Sequence, residues 1–372
     1  MRVTLERSQL LKSLGHVHRV VERRNTIPIL SNVLIRAEGA SVHFKATDLD
    51  LEVTETAACM VEQPGDITVP AHMLHDIVRK LPDGSEVMLD AGSGEPTMVL
   101  KAGRSNFKLG VLPASDFPDL TDATFTHTFE MKAPELKRLI DQTQFAISTE
   151  ETRYYLNGIF LHTVADEGPE LLRAVATDGH RLARVQIDAP AGSSGMPGII
   201  VPRKAVAEIQ RLIEDPDAIV KVELSETKIR FTVGSVVLTS KLIDGTFPDY
   251  NRVIPKENEK RLILDRATFS SAVDRVSTIS SERGRAVKMA ITSDQLTLTV
   301  NNPESGTATE EVAVDFGAEP IEIGFNSKYL LDISGQLKGD EAHMLLADPG
   351  SPTIIRDAND ESALFVLMPM RV

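Results

Sequence analysis

The 372-residue sequence predicts an α+β protein of three similar domains, with helices segregated to one face of antiparallel sheets. Three observations carry this. The chain exceeds the roughly 250 to 300 residues at which a single core stops growing. Alternating stretches such as KIRFTVGSVVLTSKL from Lys228 and QLTLTV from Gln295 have the period of strands and outnumber the helical segments. An ordered set of four features also recurs three times, and a repeat of that kind decides the fold before any motif does.

The first feature is a short strand running into an amphipathic helix: VTLERSQLLKSLGHV from Val3, FEMKAPELKRLIDQTQF from Phe129 and LILDRATFSSAVDRVSTI from Leu262. Leu10, Leu11, Leu14, Val17 and Val21 supply an apolar stripe in the first copy, and Leu136, Leu139, Ile140 and Thr143 do so in the second. The second feature is a hairpin ending in a polar corner: LIRAEGASVHFKATDLDLEV from Leu34, FLHTVADEGPELLRAVATDGHRLARV from Phe160 and MAITSDQLTLTVNNPESG from Met289. The third is a strand feeding a second helix: TVPAHMLHDIVRKL from Thr68, IVPRKAVAEIQRLI from Ile200 and GFNSKYLLDISGQL from Gly324. The last is a closing strand and its exit: FKLGVLPASDFPDL from Phe107, VLTSKLIDGTFPDY from Val237 and LFVLMPMRV from Leu364. Asp48 and Asp178 lie 130 residues apart, as do Phe117 and Phe247, while Asn302 follows Asp178 by 124. The polar segments TDATF and PKENEK place domain boundaries near 125 and 256, giving domains 1–125, 126–256 and 257–372.

The net charge of −14 divides over these domains as −4, −2 and −8, which argues against a protein that coats itself with nucleic acid by bulk attraction. The helices run against that trend. Lys12, His16, Arg19 and Arg23 form a stripe continuing into Arg24; Lys132, Lys137 and Arg138 lie outside the next helix, and Arg203, Lys204 and Arg211 outside the fourth. Arg266, Arg275, Lys328 and Lys338 repeat the theme in the third copy. Basic helical faces kept in repeated units can meet phosphates without reading bases. Absence of Trp and only four Tyr leave little for stacking unpaired bases.

No apolar run reaches the roughly 18 residues of a membrane helix, and MRVTLERSQLLK lacks a signal-peptide core, so a cytoplasmic protein is expected. The single Cys59 suits a reducing compartment and excludes a thiolate zinc cage. Asp178 and His180 in TDGHRLA suggest an acid and base pair, hence a hydrolase as a rival reading, but no nucleophile elbow, phosphate loop, HExxH or dinucleotide fingerprint accompanies them. His16 with His18 and His72 with His75 make weak metal candidates; surface positions are the expectation, with no metal, cofactor or catalytic residue. The apolar end LFVLMPMRV must either pack as a final strand or line a groove, and its methionines suit a groove accepting several peptides. A repeat scaffold that binds peptides but no DNA is the third reading.

TDGHRLA at 177, VPRKA at 201, KLIDGTFPDY at 241, NNPE at 301, GFNSKYLLD at 324 and MPMR at 368 together resemble the bacterial DNA polymerase III beta subunit family, the replicative sliding clamps, across the whole chain. The resemblance implies a head-to-tail homodimer whose six domains close a ring around duplex DNA, with paired helices inside and sheets outside. It implies a non-catalytic processivity factor that binds double-stranded DNA without sequence preference. Its partners would be the polymerase III catalytic subunit, an ATP-driven clamp loader, and other polymerases and repair proteins carrying clamp-binding motifs. Arg24, Arg153, Tyr154, Tyr155, Arg203 and Lys204 match positions the family uses near DNA, whereas His72 and Met73 stand where it often has basic residues.

The resemblance also implies a pocket for short client motifs between the second and third domains. Its wall would take Leu156, Thr177, Gly179, His180, Arg181 and Leu182 from one side and Pro248, Arg252 and Val253 from the FPDY exit. Val366, Leu367, Met368, Pro369, Met370 and Arg371 of the tail would complete it, with Asn326 and Tyr329 nearby. For the dimer, Lys101, Arg104, Phe107 and Leu109 of the first domain would meet Thr278, Ile279 and Glu304 of the third. A heterologous contact of this kind must close by geometry, here after two copies.

Overall fold

The computed structural model describes residues 1–92, 96–120, 124–165, 168–281 and 284–371, so Thr121–Ala123 of the TDATF boundary and the terminal Val372 lie outside the described residues. Six α-helices are described: α1 (Arg7–Val17), α2 (Ala71–Lys80), α3 (Ala133–Asp141), α4 (Arg203–Leu212), α5 (Arg266–Ser277) and α6 (Ser327–Ser334). They are the two helices per copy that the periodicity predicts. None is long and apolar enough to cross a membrane.

The repeat is visible in single hydrogen bonds. The first backbone N–H of α1, α3 and α5 donates to the carbonyl just ahead of the strand that follows the copy's second helix: Arg7 to Ser85 at 2.8 Å, Ala133 to Ala218 at 2.9 Å and Arg266 to Asp340 at 2.8 Å. Each helix start has orphan donors that must find acceptors, and the same solution appears three times.

The chain forms two compact units, which share the central copy. Met1–Leu136, Pro190–Pro197 and Lys204–Leu242 make the first; Lys137–Ala189, Gly198–Arg203 and Ile243–Val372 make the second. In the first unit a five-stranded sheet runs Met60–Gln63, Arg2–Glu6, Glu86–Asp90, Thr97–Ala102, Ser105–Gly110. Its eight-stranded sheet runs His127–Lys132, Ile219–Leu224, Lys228–Val233, Val236–Lys241, Leu51–Ala58, Ser41–Thr47, Asn32–Glu38, Gly65–Pro70. In the second unit a nine-stranded sheet runs Ile199–Pro202, Gly158–Val164, Leu171–Thr177, Arg181–Asp188, Asp360–Leu367, Thr353–Asp357, Glu341–Leu346, Lys260–Asp265, Asp315–Phe316. Its four-stranded sheet runs Gly306–Ala313, Gln295–Asn302, Ala286–Ile291, Ile321–Asn326.

Both wide sheets cross a copy boundary. Leu51–Ala58 of the first copy pairs antiparallel with Val236–Lys241 of the second, and Arg181–Asp188 of the second pairs likewise with Asp360–Leu367 of the third. Ser105–Gly110 of the first copy and Gly306–Ala313 of the third are each outermost in their sheets and make no such junction.

Leu10, Leu14 and Val17 of α1 are fully buried, but Leu11 is only half-buried, so the inward stripe is narrower than the sequence suggests. The basic stripe is interrupted as well. Helix α1 ends at Val17 and a 3-10 turn follows over His18–Val20, leaving Arg23 and Arg24 exposed beyond the helix. Most helical cations are already paired: Lys12 with Glu214 at 3.0 Å, Arg211 with Glu208 at 2.6 Å, Arg275 with Glu310 at 2.5 Å and Lys137 with Asp141 at 3.4 Å. Arg138 turns inward to Asp360 at 2.6 Å rather than outward.

Three histidines expected at the surface instead pack together. The His18 ring stacks on His75 at 3.8 Å and meets His72 edge-on at 5.5 Å, while His72 Nε2 lies 2.8 Å from the Val21 carbonyl. Burial pushes His18 down to about 4 and also lowers His75, so these two rings stack in neutral form while the trio fastens the end of α1 to α2.

His16 is the opposite case. Its Nδ1 lies 2.6 Å from Glu55 and its Nε2 3.1 Å from Glu214, with the side chain 11% exposed. Burial pulls its pKa down, but the hydrogen bonds and charges of Glu55 and then Glu214 outweigh that and raise it. A folded-state value above the ordinary one of about 6.5 makes the stabilisation complete below that pH and lost as pH rises through the folded value. His16→Gln is therefore expected to lower the thermal midpoint more near about pH 6 than near about pH 9. Equal shifts at the two pH values would mean that the bridge carries no proton.

Candidate partner site at the Thr177–Leu182 corner

The corner is built by short polar side chains that substitute for backbone partners. Thr177 Oγ1 donates to the Arg181 carbonyl at 2.7 Å and accepts from Gly179 N at 3.1 Å; Asp178 Oδ1 accepts from His180 N at 2.9 Å and Arg181 N at 3.0 Å. Gly179 sits at φ +89°, a region L-residues avoid. The result presents Gly179 and His180 at an exposed tip. Asp178 thus spends its carboxylate on backbone N–H groups and on Arg181 Nε at 3.1 Å, not on the His180 ring, so the acid and base pair has no geometry to act through.

Arg181 is the correction to the expected cationic wall. Its side chain is 8% exposed, with Nη1 2.6 Å from Asp332, Nη2 2.7 Å from the Phe145 carbonyl, and the guanidinium 4.2 Å from the Tyr329 ring centre. It fastens the corner to α6 and is unavailable to a ligand. Leu367 is corrected too. On the strand Asp360–Leu367, Val366 faces one way, while Leu367, fully buried, shares the other face with Phe365.

What remains is an apolar floor with an exposed rim. Leu156, Leu182 and Val366 are buried in one cluster with Val175, Ile200, Phe247, Tyr250 and Ile354, against which Tyr155 and Leu364 pack. Around it His180, Pro248, Arg252 and Arg371 are exposed, as are Tyr154, Val253 and Met368 at 54%, 51% and 41%. Thr177, Pro369 and Met370 are half-buried. Met368 N donates to the His180 carbonyl and Met370 N to the Gly324 carbonyl, both at 2.9 Å, which pins the tail across the corner. Beyond it, Pro369, Met370 and Arg371 line a groove of about 940 Å³ with Lys288, Glu322 and Gly350. Asn326 is used in capping α6, accepting from Lys328 N at 3.0 Å; Tyr329, its pKa raised chiefly by burial, backs Arg181.

Val175, Ile200, Phe247, Tyr250 and Ile354 belong to the floor but are absent from the wall expected from the sequence. Phe247 and Tyr250 carry a signal, because the FPDY exit repeats FPDL of the first copy.

The positions matched to DNA contact separate. Arg153, Tyr154 and Tyr155 lie in a 3-10 turn over Glu151–Leu156 that borders this same floor. Arg153 holds Glu150 through Nε at 2.8 Å and covers Gly179 so closely that a Cβ there would come within 2.5 Å of Nη1. Arg203 is exposed at the start of α4. Lys204 is bound at 2.5 Å to both Asp48 and Glu22, and Arg24 is exposed in the same unit as Lys204.

At the outermost strands, Lys101 and Arg104 are exposed and Phe107 half-buried, but Leu109 turns into its own core at 7% exposure. Thr278 and Glu304 are exposed; the half-buried Ile279 spends its carbonyl on Asn302 Nδ2 at 2.7 Å.

Replacing Arg181 by Met leaves Asp178 and Asp332 without their cation, a loss on the order of 3 kcal/mol for a buried pair. Urea unfolding of Arg181→Met should show it, and a change below about 0.5 kcal/mol would mean the guanidinium contributes nothing net.

Three family models match the chain: the N-terminal domain of the DNA polymerase III beta subunit over residues 1–121, its central domain over 130–249 and its C-terminal domain over 251–371. The chain is 55% identical to a beta sliding clamp of Caulobacter vibrioides and 40% identical to that of Escherichia coli, each over the full length of both. Among solved structures, a sliding clamp from Bartonella birtlesii bound to griselimycin superposes with a TM-score of 0.97 at 60% identity, covering both chains completely. A C. crescentus clamp gives 0.98 at 55% identity, covering all of this chain and 99% of that one.

Proposed function

The chain belongs to the DNA polymerase III beta subunit family, the beta sliding clamps, non-catalytic processivity factors of that polymerase with a three-domain clamp fold; from this we propose how this chain performs the task. Two copies pair head to tail into a ring that encircles double-stranded DNA in the cytoplasm. The domains divide at 1–125, 126–256 and 257–372.

The observation that carries the reading is the repeated junction. Twice within the chain the last strand of one copy's hairpin sheet pairs with the closing strand of the next copy. Gly306–Ala313 is the third such hairpin strand and Ser105–Gly110 the third such closing strand, and each is outermost in its sheet. Open edges invite pairing, and a second chain meets both needs at once. Lys101, Arg104 and Phe107 would then face Thr278, Ile279 and Glu304, with Leu109 supporting from behind.

Enclosure needs only weak phosphate attraction, and the pairing of Lys12, Lys204, Arg211 and Arg275 with carboxylates keeps it weak. Arg24, Arg153, Tyr154, Tyr155, Arg203 and Lys204 are the positions proposed to meet DNA. Client motifs of the polymerase III catalytic subunit, the clamp loader, other polymerases and repair proteins dock on the Leu156, Leu182 and Val366 floor. Met368 and Val253 grip aliphatic and aromatic side chains there. The Bartonella relative binds griselimycin, and the same floor is where we propose this chain takes it.

Loaded onto nicked circular DNA, the protein is expected to stay bound in high salt and to leave when that circle is cut. Retention that is the same on linear fragments would exclude enclosure. Removing Met368–Val372 is expected to abolish binding of client peptides while the dimer persists in sedimentation; unchanged peptide affinity would remove the tail from the site.

A further inference from the structure

The floor of the peptide site has a counterpart at the other junction, built on the same backbone. Thr47 Oγ1 donates to the Leu51 carbonyl at 2.9 Å and accepts from Leu49 N at 3.0 Å; Asp48 Oδ1 accepts from Asp50 N at 3.0 Å and Leu51 N at 2.7 Å. This is the Thr177–Arg181 corner residue for residue, and Leu49 keeps the left-handed φ of +80° although it is not glycine. Lys241 N donates to the Asp50 carbonyl at 2.8 Å as Met368 N does to that of His180. In the ladders Glu52 stands opposite Thr239 where Leu182 stands opposite Val366, and Lys45 opposite Thr54 where Val175 stands opposite Arg184.

The backbone is duplicated but the chemistry is inverted. Val175, Leu182 and Val366 correspond to Lys45, Glu52 and Thr239. Lys45 Nζ lies 3.6 Å from Glu52 and 3.0 Å from Asp119; Glu52 is 2% exposed and accepts from Leu120 N at 3.2 Å. Burial raises the Glu52 pKa against the pull of Lys45. An apolar side chain seated over these three positions would strip the remaining water from an ion pair and find no apolar partner among them, whereas over their counterparts at the second junction it gains roughly 25 cal/mol for each Å² covered.

We propose that the Lys45–Glu52 pair with Thr239 is a specificity device that blanks the duplicate site, so that each chain offers clients one docking floor rather than two. The inference rests on the peptide-site reading above. Its residues touch no client at the working site, and they act by denying one elsewhere.

Replacing a buried ion pair by apolar residues of similar bulk is often neutral for stability, so Lys45→Val, Glu52→Leu, Thr239→Val can be made together. Calorimetric titration with a short peptide carrying adjacent leucine and phenylalanine should give one site per unmodified chain and two per triple variant. In a Met368→Glu background, which disables the working floor, the triple substitution should restore binding by at least about tenfold. A stoichiometry that stays at one, or no restoration, overturns the proposal. Absence of binding by the unmodified chain overturns the peptide-site reading and this inference with it. If the triple variant does not fold, as judged by its thermal transition, Lys45→Met with Glu52→Gln is read by the same stoichiometry and decides in the same way.

Discussion

Backbone hydrogen bonding between the hairpin strand of one copy and the closing strand of the next fixes the registers from which the other features follow. Thr239 falls opposite Glu52 and Val366 opposite Leu182 because of it. Side chains alternate along a strand, so a slip of one residue would exchange Val366 for Leu367 and turn the apolar cluster inside out. The same ladders explain why compactness does not follow the sequence repeat. The central copy gives one of its sheets to each wide sheet, and the two compact units divide it.

The repeat, the helices and the polar corners were legible because each leaves a local mark: a period, a cap or an Asx turn at a fixed offset. Direction along a strand was not. Leu367 and Arg181 belong to the right segments but face away from the floor, and a string of residues matched by motif does not carry the alternation. Arg138 and Lys204 looked like solvated cations because their partners Asp360 and Asp48 are 222 and 156 residues distant. The histidine trio was hidden for the same reason: His18 and His75 meet only once α1 lies on α2.

Charge needed the most revision. The helical faces are basic in sequence, yet carboxylates from strands and neighbouring turns neutralise much of that charge. An exposed pair contributes little to stability, typically below about 1 kcal/mol, so its main effect is on the field rather than the fold. Glu310, for example, acts chiefly by quenching Arg275.

The two tethers on either side of Met368 have a further effect. With His180 and Gly324 holding the chain before and after it, the thioether can swing among rotamers while the main chain stays still. A guest of different outline is then accommodated by one unbranched side chain whose torsions are cheap to reset, without the ordering cost that a flexible loop would impose.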